Sequence, residues 1–328
     1  VQHVENYSID ESFCYLDGYE RLHNLEDYMR GVVEKVRLYT DIPVSVGIAP
    51  TKTLAKMGSK FAKKHKGYRS VCVIDNDEKR RKALAIFDLA DIWGIGRQTL
   101  AKLQRHGVTT PLEFADKKES WVRSRFTLPT VQTWRELNGM PCIDTAERVR
   151  KQTICTSRSF GEMVEDFDTL RTSIADFAAG CANKLRAQRS VAAEVTVFLA
   201  SNRFREDLPQ YANSITAVLA TPTADTSAIT AAATDALSEA YRQGIHYKKA
   251  GVVLGSITSD AAVQQCLFDT VKNRQCRHKL MGQIDCINQR FGPKTIRLAA
   301  EGFAAQRWQP KSEHKSGNYM TDINDILT

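Results

Sequence analysis

Two adjacent carboxylates, Asp10 and Glu11, close the run Tyr7-Ser8-Ile9-Asp10-Glu11. The residues before them, Val1 to Tyr7, read as one strand, and Ser12 to Leu16 as another. Acids at a strand-to-strand junction suit a divalent cation. Mg²⁺ takes hard carboxylate oxygens and is commonly held by one or two of them together with phosphates. The pair by itself also suits a solvated turn. A second group follows: Lys52, Lys56, Lys60 and Lys63 recur at helical spacing and form a basic stripe. Lysines with almost no acids among them repel one another, and a phosphate partner relieves that repulsion. Such a stripe also serves as a plain solvated face. The third group is Trp93-Gly94-Ile95-Gly96-Arg97. Gly-Ile-Gly makes a tight turn whose bare backbone can approach a phosphate, and the free N–H groups of the next helix can receive the anion. Arg97, Lys102 and Arg105 lie alongside.

These groups need elements to hold them. Asn24 to Tyr39 reads as an amphipathic helix and Pro43 to Ile48 as a buried strand. Thr51 caps a helix to about Lys66, with Gly67 as its stop, and Arg69 to Ile74 is another strand. The order of strands and helices describes an α+β sheet with helices on one face. Leu89 to Ile92 leads into the Gly-Ile-Gly turn and a helix over Gln98 to His106, which makes a helix-hairpin-helix. Helices follow near residues 117–125 and 129–137. Residues 143–152 are polar, without periodicity, and suit a linker. Beyond them, strands near 153–160, 192–199, 214–219 and 250–256 and helices near 168–187 and 227–242 give the order βαββαβ, the ferredoxin-like or split arrangement. The tail from residue 261 is rich in Gln, Asn, Lys and Arg, with Lys294 to Leu298 strand-like.

Composition narrows the partners. The 328 residues suggest two or three domains. No run of about 18 or more apolar residues occurs, so no membrane span is expected, and nothing resembles a signal peptide. The eight cysteines include no Cys-x-x-Cys pair and are expected to be reduced thiols of a cytoplasmic protein. Net charge is +8, and fourteen Lys or Arg against five acids fall between Ala49 and His106. A localised basic block points to a polyanion such as nucleic acid.

Four ordered motifs then carry a family resemblance: Tyr7 to Glu11, Ser45 to Ala49 with Thr51 to Lys56, Ile92 to Gly96, and Ser157 to Glu162. The chain resembles Y-family translesion DNA polymerases, with the wording of the UmuC subfamily, over nearly its whole length. The resemblance implies a multidomain α+β protein: a partial palm over 1–85, a thumb with its helix-hairpin-helix over 86–142, and a linker over 143–152. A little finger over 153–257 and a C-terminal region over 258–328 complete it. It implies that Asp10 and Glu11 are catalytic and hold two Mg²⁺ ions, and that Lys63, with Lys56 second, contacts the incoming deoxynucleoside triphosphate. Gly94, Gly96, Arg97 and Lys102 would grip primer-template DNA, as would Arg158 and Ser159 on the first little-finger strand. Gln264, Leu267 and Phe268 resemble the Gln-x-x-Leu-Phe peptide that docks on a sliding clamp, an extended segment placing two apolar side chains in a pocket. Accessory polymerase V subunits and a recombinase filament are further implied partners, and a bacterial, nucleoid-associated location.

The chain departs from the family at its start. The first metal-binding Asp and the fingers are not among these residues, so the 328 residues are expected to be a fragment that polymerises poorly. The edge beside Val4 to Ile9 is expected to stand open. The alternative function is a module that holds DNA and clamp without chemistry. A helix-hairpin-helix repair nuclease or glycosylase would want a catalytic Lys or Asp soon after the hairpin, and residues 108–142 offer no clear one.

Overall fold

The computed structural model describes residues 1–144, 150–262, 273–302, 308, 309, 311, 314, 316–318 and 323. The chain divides into two compact units, Val1–Arg148 and Val149–Thr328.

In the first unit, β1 (His3–Asn6) and β2 (Ser12–Tyr15) form an antiparallel hairpin with Val4 opposite Cys14. Helix α1 (Leu25–Thr40) begins at Asn24, whose side chain accepts from the amides of Glu26 and Asp27. Strand β3 (Val46–Ile48), helix α2 (Lys52–Lys64) and strand β4 (Val71–Val73) make a parallel β-α-β crossover. Gly47 is required there, since a Cβ would lie 1.9 Å from the Ala55 carbonyl oxygen of α2. The two strand pairs share no ladder, so the single palm sheet expected from the sequence is two separate two-stranded sheets. The hairpin joins the rest of the unit through side chains of α2 instead, with Glu5 bonded to Lys52 and Glu11 to Lys56.

Six further helical segments follow. They are α3 (Asp77–Ile86), a 3-10 turn (Leu89–Asp91), α4 (Arg97–Arg105), α5 (Pro111–Ala115), α6 (Glu119–Arg125) and α7 (Leu128–Leu137). The sequence reading missed α3 and α5. The signals were present: Asn76 caps α3, and Thr110 with Glu113 forms a capping box at α5. One hydrophobic core runs from Leu54, Met57 and Phe61 of α2 to Leu103, Phe114 and Leu137, so helices on both sides of residue 85 pack together.

The second unit holds β5 (Ile154–Val164), α8 (Phe167–Ala187), β6 (Ser190–Ser201), β7 (Ala212–Thr223), α9 (Thr226–Ala240) and β8 (Tyr247–Ser259). The antiparallel sheet has the order β5-β8-β6-β7. Each β-α-β unit is split by a strand of the other, as the element order suggests. Leu170, Ile174, Phe177 and Leu185 of α8 and Ile229 and Leu237 of α9 bury one face of the sheet with Val195, Val197, Val252 and Leu254.

A tenth helix, α10 (Arg274–Phe291), follows the sheet. Arg186 of α8 meets Asp285 of α10 through two bonds of 2.6 and 2.7 Å. Arg277 meets Asp225 through two bonds of 2.8 Å. The strand expected over Lys294–Leu298 is not formed. Gly292 (φ 108) and Lys294 (φ 66) break the extended run. The side-chain amide of Asn288 serves both the N–H and the carbonyl of Ile296, in place of a neighbouring strand. Among the described residues no helix is long and apolar enough to cross a membrane.

Candidate functional site

The hairpin between β1 and β2 presents the loop that carries the carboxylates. The amides of Tyr7 and Ser8 donate to the Glu11 carbonyl at 3.1 and 3.0 Å, which closes the loop and leaves Ile9 fully exposed at its tip. Asp10 is exposed, and the Ser8 hydroxyl donates to its Oδ1 at 2.6 Å. That bond holds the Asp10 carboxyl below its ordinary range, with its own backbone amide and the charges of Lys56 and Lys63 assisting. Glu11 is exposed and is held by Lys56, whose Nζ lies 3.0 Å from Oε2.

Helix α2 runs beside the loop, with Thr51 capping its N-terminus. The basic stripe reads differently in three dimensions. Lys52 bonds Glu5 at 2.9 Å, Lys56 bonds Glu11, and Lys60 bonds Asp91 at 2.5 Å. The stripe lacks acids in sequence but not in space, so these three lysines have carboxylate partners and do not require phosphate. Lys63 is exposed and forms no ion pair among the described residues.

The Lys52 pair is structural. Glu5 is 9% exposed, and the Tyr15 hydroxyl donates to the same Oε2 at 2.7 Å. The Lys52 bond holds the Glu5 carboxyl below its ordinary range against the opposing effect of burial. Burial alone would lower Lys52, but the bonds to Glu5 and Tyr15 overcome it and leave the amine raised.

The turn ahead of α4 is tight. Gly94 adopts φ +94, and a Cβ there would lie 2.2 Å from the Thr133 hydroxyl. Gly96 is the N-cap of α4 with no side-chain cap and open space around it. Arg97 and Arg105 are exposed. Lys102 is not free: it donates to the Arg125 carbonyl and lies over the Phe126 ring.

In the second unit Arg158 and Ser159 sit on β5, an edge strand. Successive strand residues point to opposite faces, so the two are not brought together. Ser159 pairs with Lys249 across the ladder and shares the open face with Thr196 and Thr216, whose hydroxyls meet at 2.8 Å. Arg158 lies on the helix side, at the wall of a groove of about 990 Å³ between α8 and α10. Gln264, Leu267 and Phe268 lie outside the described residues.

Sequence reasoning missed Trp93 and Glu136. Trp93 packs edge-to-face on Tyr7 at 5.4 Å and joins the carboxylate loop to the glycine turn. Glu136 is buried on α7 and binds the N-terminus of α2. Nothing local in the sequence marks either contact. Among the described residues no cluster of three or more His, Cys, Asp or Glu is placed to hold a metal.

Known proteins resemble this chain in fold and in sequence. A Y-family DNA polymerase chimera matches with a TM-score of 0.54 at 18% identity, over 79% of this chain and 72% of that one. That likeness gives the class of fold. The impB/mucB/samB family model matches residues 1–60, and the C-terminal domain of the same family matches 151–267. A domain of unknown function matches 278–328. Protein UmuC of Salmonella typhimurium strain LT2 is 37% identical, across 100% of this chain and 78% of that protein. Protein ImpB of Salmonella typhimurium is 36% identical, across 98% and 76%. The chain belongs to the impB/mucB/samB family, as a UmuC-like Y-family polymerase.

Proposed function

We propose that the protein works as a template-directed translesion DNA polymerase, joining a deoxynucleoside triphosphate to a primer 3′-hydroxyl. The observation that carries this reading is the exposed Asp10-Glu11 loop beside the helix that presents Lys63. Two adjacent, solvent-open carboxylates fit a divalent cation of hard-oxygen preference. In this reading Asp10 and Glu11 hold two Mg²⁺ ions, with further oxygens from the triphosphate. Metal held by Asp10 and Glu11 would supply activation of the primer hydroxyl and charge neutralisation at the pyrophosphate leaving group. Lys63 meets the triphosphate as a point charge. The Gly94–Gly96 turn, the first amides of α4 and Arg97 hold a duplex phosphate. Ser159, on the open face of the second unit's sheet, extends the track, whereas Arg158 faces the helix side and does not join it. Contacts to phosphate position a duplex without reading its sequence, as copying any template requires.

On the same reading residues 1–85 are palm, 86–142 thumb, 143–152 linker and 153–257 little finger. Gln264, Leu267 and Phe268 dock on a sliding clamp, polymerase V subunits and a recombinase filament assist, and the protein works at the bacterial nucleoid. The test is primer extension with Mg²⁺ on intact and abasic templates, using a form that spans the full length of its relatives. Extension past the lesion supports the proposal. Tight DNA binding without extension on either template overturns it in favour of a non-catalytic DNA-holding module.

A further inference from the structure

Lys56 is held from two sides. Its ammonium lies 3.0 Å from Glu11 Oε2, and 4.8 and 5.0 Å from the ring centroids of Tyr7 and Trp93. The two rings are fixed to each other. Trp93 Nε1 donates to the Tyr7 hydroxyl at 3.2 Å, and Phe13 closes on them with centroids at 5.7 and 5.9 Å. An ammonium over aromatic faces is attracted by their quadrupoles without any counter-ion. It can therefore stay in place when its carboxylate turns to another cation. Tyr7 belongs to the carboxylate loop and Trp93 to the glycine turn, so the same box braces the loop that carries Asp10 and Glu11.

The geometry points to Lys56 as the positioning residue of the carboxylate pair, not a nucleotide contact. It holds Glu11 as a resident counter-ion, yields it to an arriving divalent cation, and remains on the Tyr7–Trp93 box. Two consequences follow from charge alone. The resident ammonium competes with any cation for Glu11, so it raises the concentration at which the pair fills. It also relieves the repulsion between two adjacent carboxylates before they fill. This inference rests on the reading of Asp10 and Glu11 as the cation pair.

The probe is Tb³⁺, an oxygen-seeking ion whose emission is sensitised by Tyr and Trp rings close to it. It is titrated into the 328-residue chain and competed with Mg²⁺. Lys56→Met and Lys56→Gln are expected to bind Tb³⁺ roughly three- to tenfold more tightly, because a neighbouring positive charge is removed in a screened, partly exposed site. Lys56→Arg, which keeps the charge and the stacking, is expected to bind as the wild type does. A role in packing alone would make the Arg variant resemble the Met variant. If Asp10→Ala, Glu11→Ala keeps the full signal, the pair is not the cation site and the underlying reading fails. If that double variant loses the signal but neither Lys56→Met nor Lys56→Gln binds more tightly, the site reading stands and the role given to Lys56 is overturned.

Discussion

The buried carboxylate of Glu136 accepts a hydrogen bond from the Thr53 amide at 2.9 Å, at the N-terminus of the helix that carries Lys56 and Lys63. Its second oxygen accepts from the amides of Cys142 and Ile143 at 2.9 and 3.2 Å. The Glu136 carbonyl accepts from the Thr51 hydroxyl at 2.9 Å. One residue of α7 thus fixes both the start of α2 and the chain after α7. The amides at the start of a helix lack partners within it, and an acceptor placed there satisfies them. Glu136→Ala leaves one buried and two part-buried donors without an acceptor and is expected to cost the first unit about 2–4 kcal/mol, read as a lower urea midpoint. Glu136→Gln keeps one acceptor oxygen and puts an amide donor in place of the other, and should cost less.

Gly94 tests the glycine turn. Its φ of +94 and the 2.2 Å approach to Thr133 leave no room for a side chain. Gly94→Ala is expected to weaken primer-template binding by about tenfold, through strain and displacement of the turn together. Adding Thr133→Ser should restore little, since the hydroxyl is the clashing atom. Adding Thr133→Ala should restore part of the affinity and leave the backbone strain. Fluorescence anisotropy with labelled primer-template checks the order of the three variants.

Glu5 predicts a pH dependence. Its carboxyl is depressed below the ordinary 4.5, first by the Lys52 bond. A depressed carboxylate adds stability that is complete above the ordinary value and is lost as pH falls through the lower folded value. Glu5→Gln removes that contribution. The stability difference between wild type and variant should therefore be greatest above pH 4.5 and shrink on acidification below it, measured by urea unfolding across pH 3 to 6. A difference that stays constant over this range would show that the pair does not titrate as described.

The lysines of α2 separate by partner. Lys63 is exposed with no ion pair among the described residues, whereas Lys60 is bonded to Asp91. Lys63→Ala is expected to reduce affinity for triphosphate, or the salt slope of DNA binding by about one unit if it meets a phosphate of the duplex. Lys60→Ala should leave both unchanged. Lys52→Ala should act on stability, because it strands the buried Glu5 charge.

Trp308 is buried against Phe177 at 5.2 Å, and the Gly161 amide donates to its carbonyl at 3.4 Å. A Cβ at Gly161 would lie 2.4 Å from the Gln309 carbonyl oxygen. Trp308→Ala is expected to cost the second unit about 3–5 kcal/mol, and Gly161→Val to reproduce part of that loss by pushing the segment off β5. Thermal unfolding of both variants checks this. An unchanged transition would mean that the segment matching the domain of unknown function is not part of the core.

What the sequence made legible was local. The Thr51 cap, the Asp10-Glu11 loop and the Gly-Ile-Gly turn depend on neighbours within a few residues, and each stands where it was read. The lysine stripe was misread because Glu5 and Glu11 lie 47 and 45 residues from their partners, and no periodicity shows them. Lys294–Leu298 looked like a strand because the Asn288 amide that replaces a strand neighbour sits on a different element. Helix α10 escaped notice because its hold on the second unit is ionic, through Arg277 and Asp285, and it buries only Met281.

The central claim is that Asp10 and Glu11 perform nucleotidyl transfer and do not merely bind. The direct measurement is single-nucleotide incorporation with Mg²⁺ by a form that spans the length of its relatives, beside its Asp10→Ala, Glu11→Ala variant, with DNA affinity measured on both. The account predicts that incorporation is lost in the variant while DNA affinity is kept. Incorporation that survives the double substitution would contradict it.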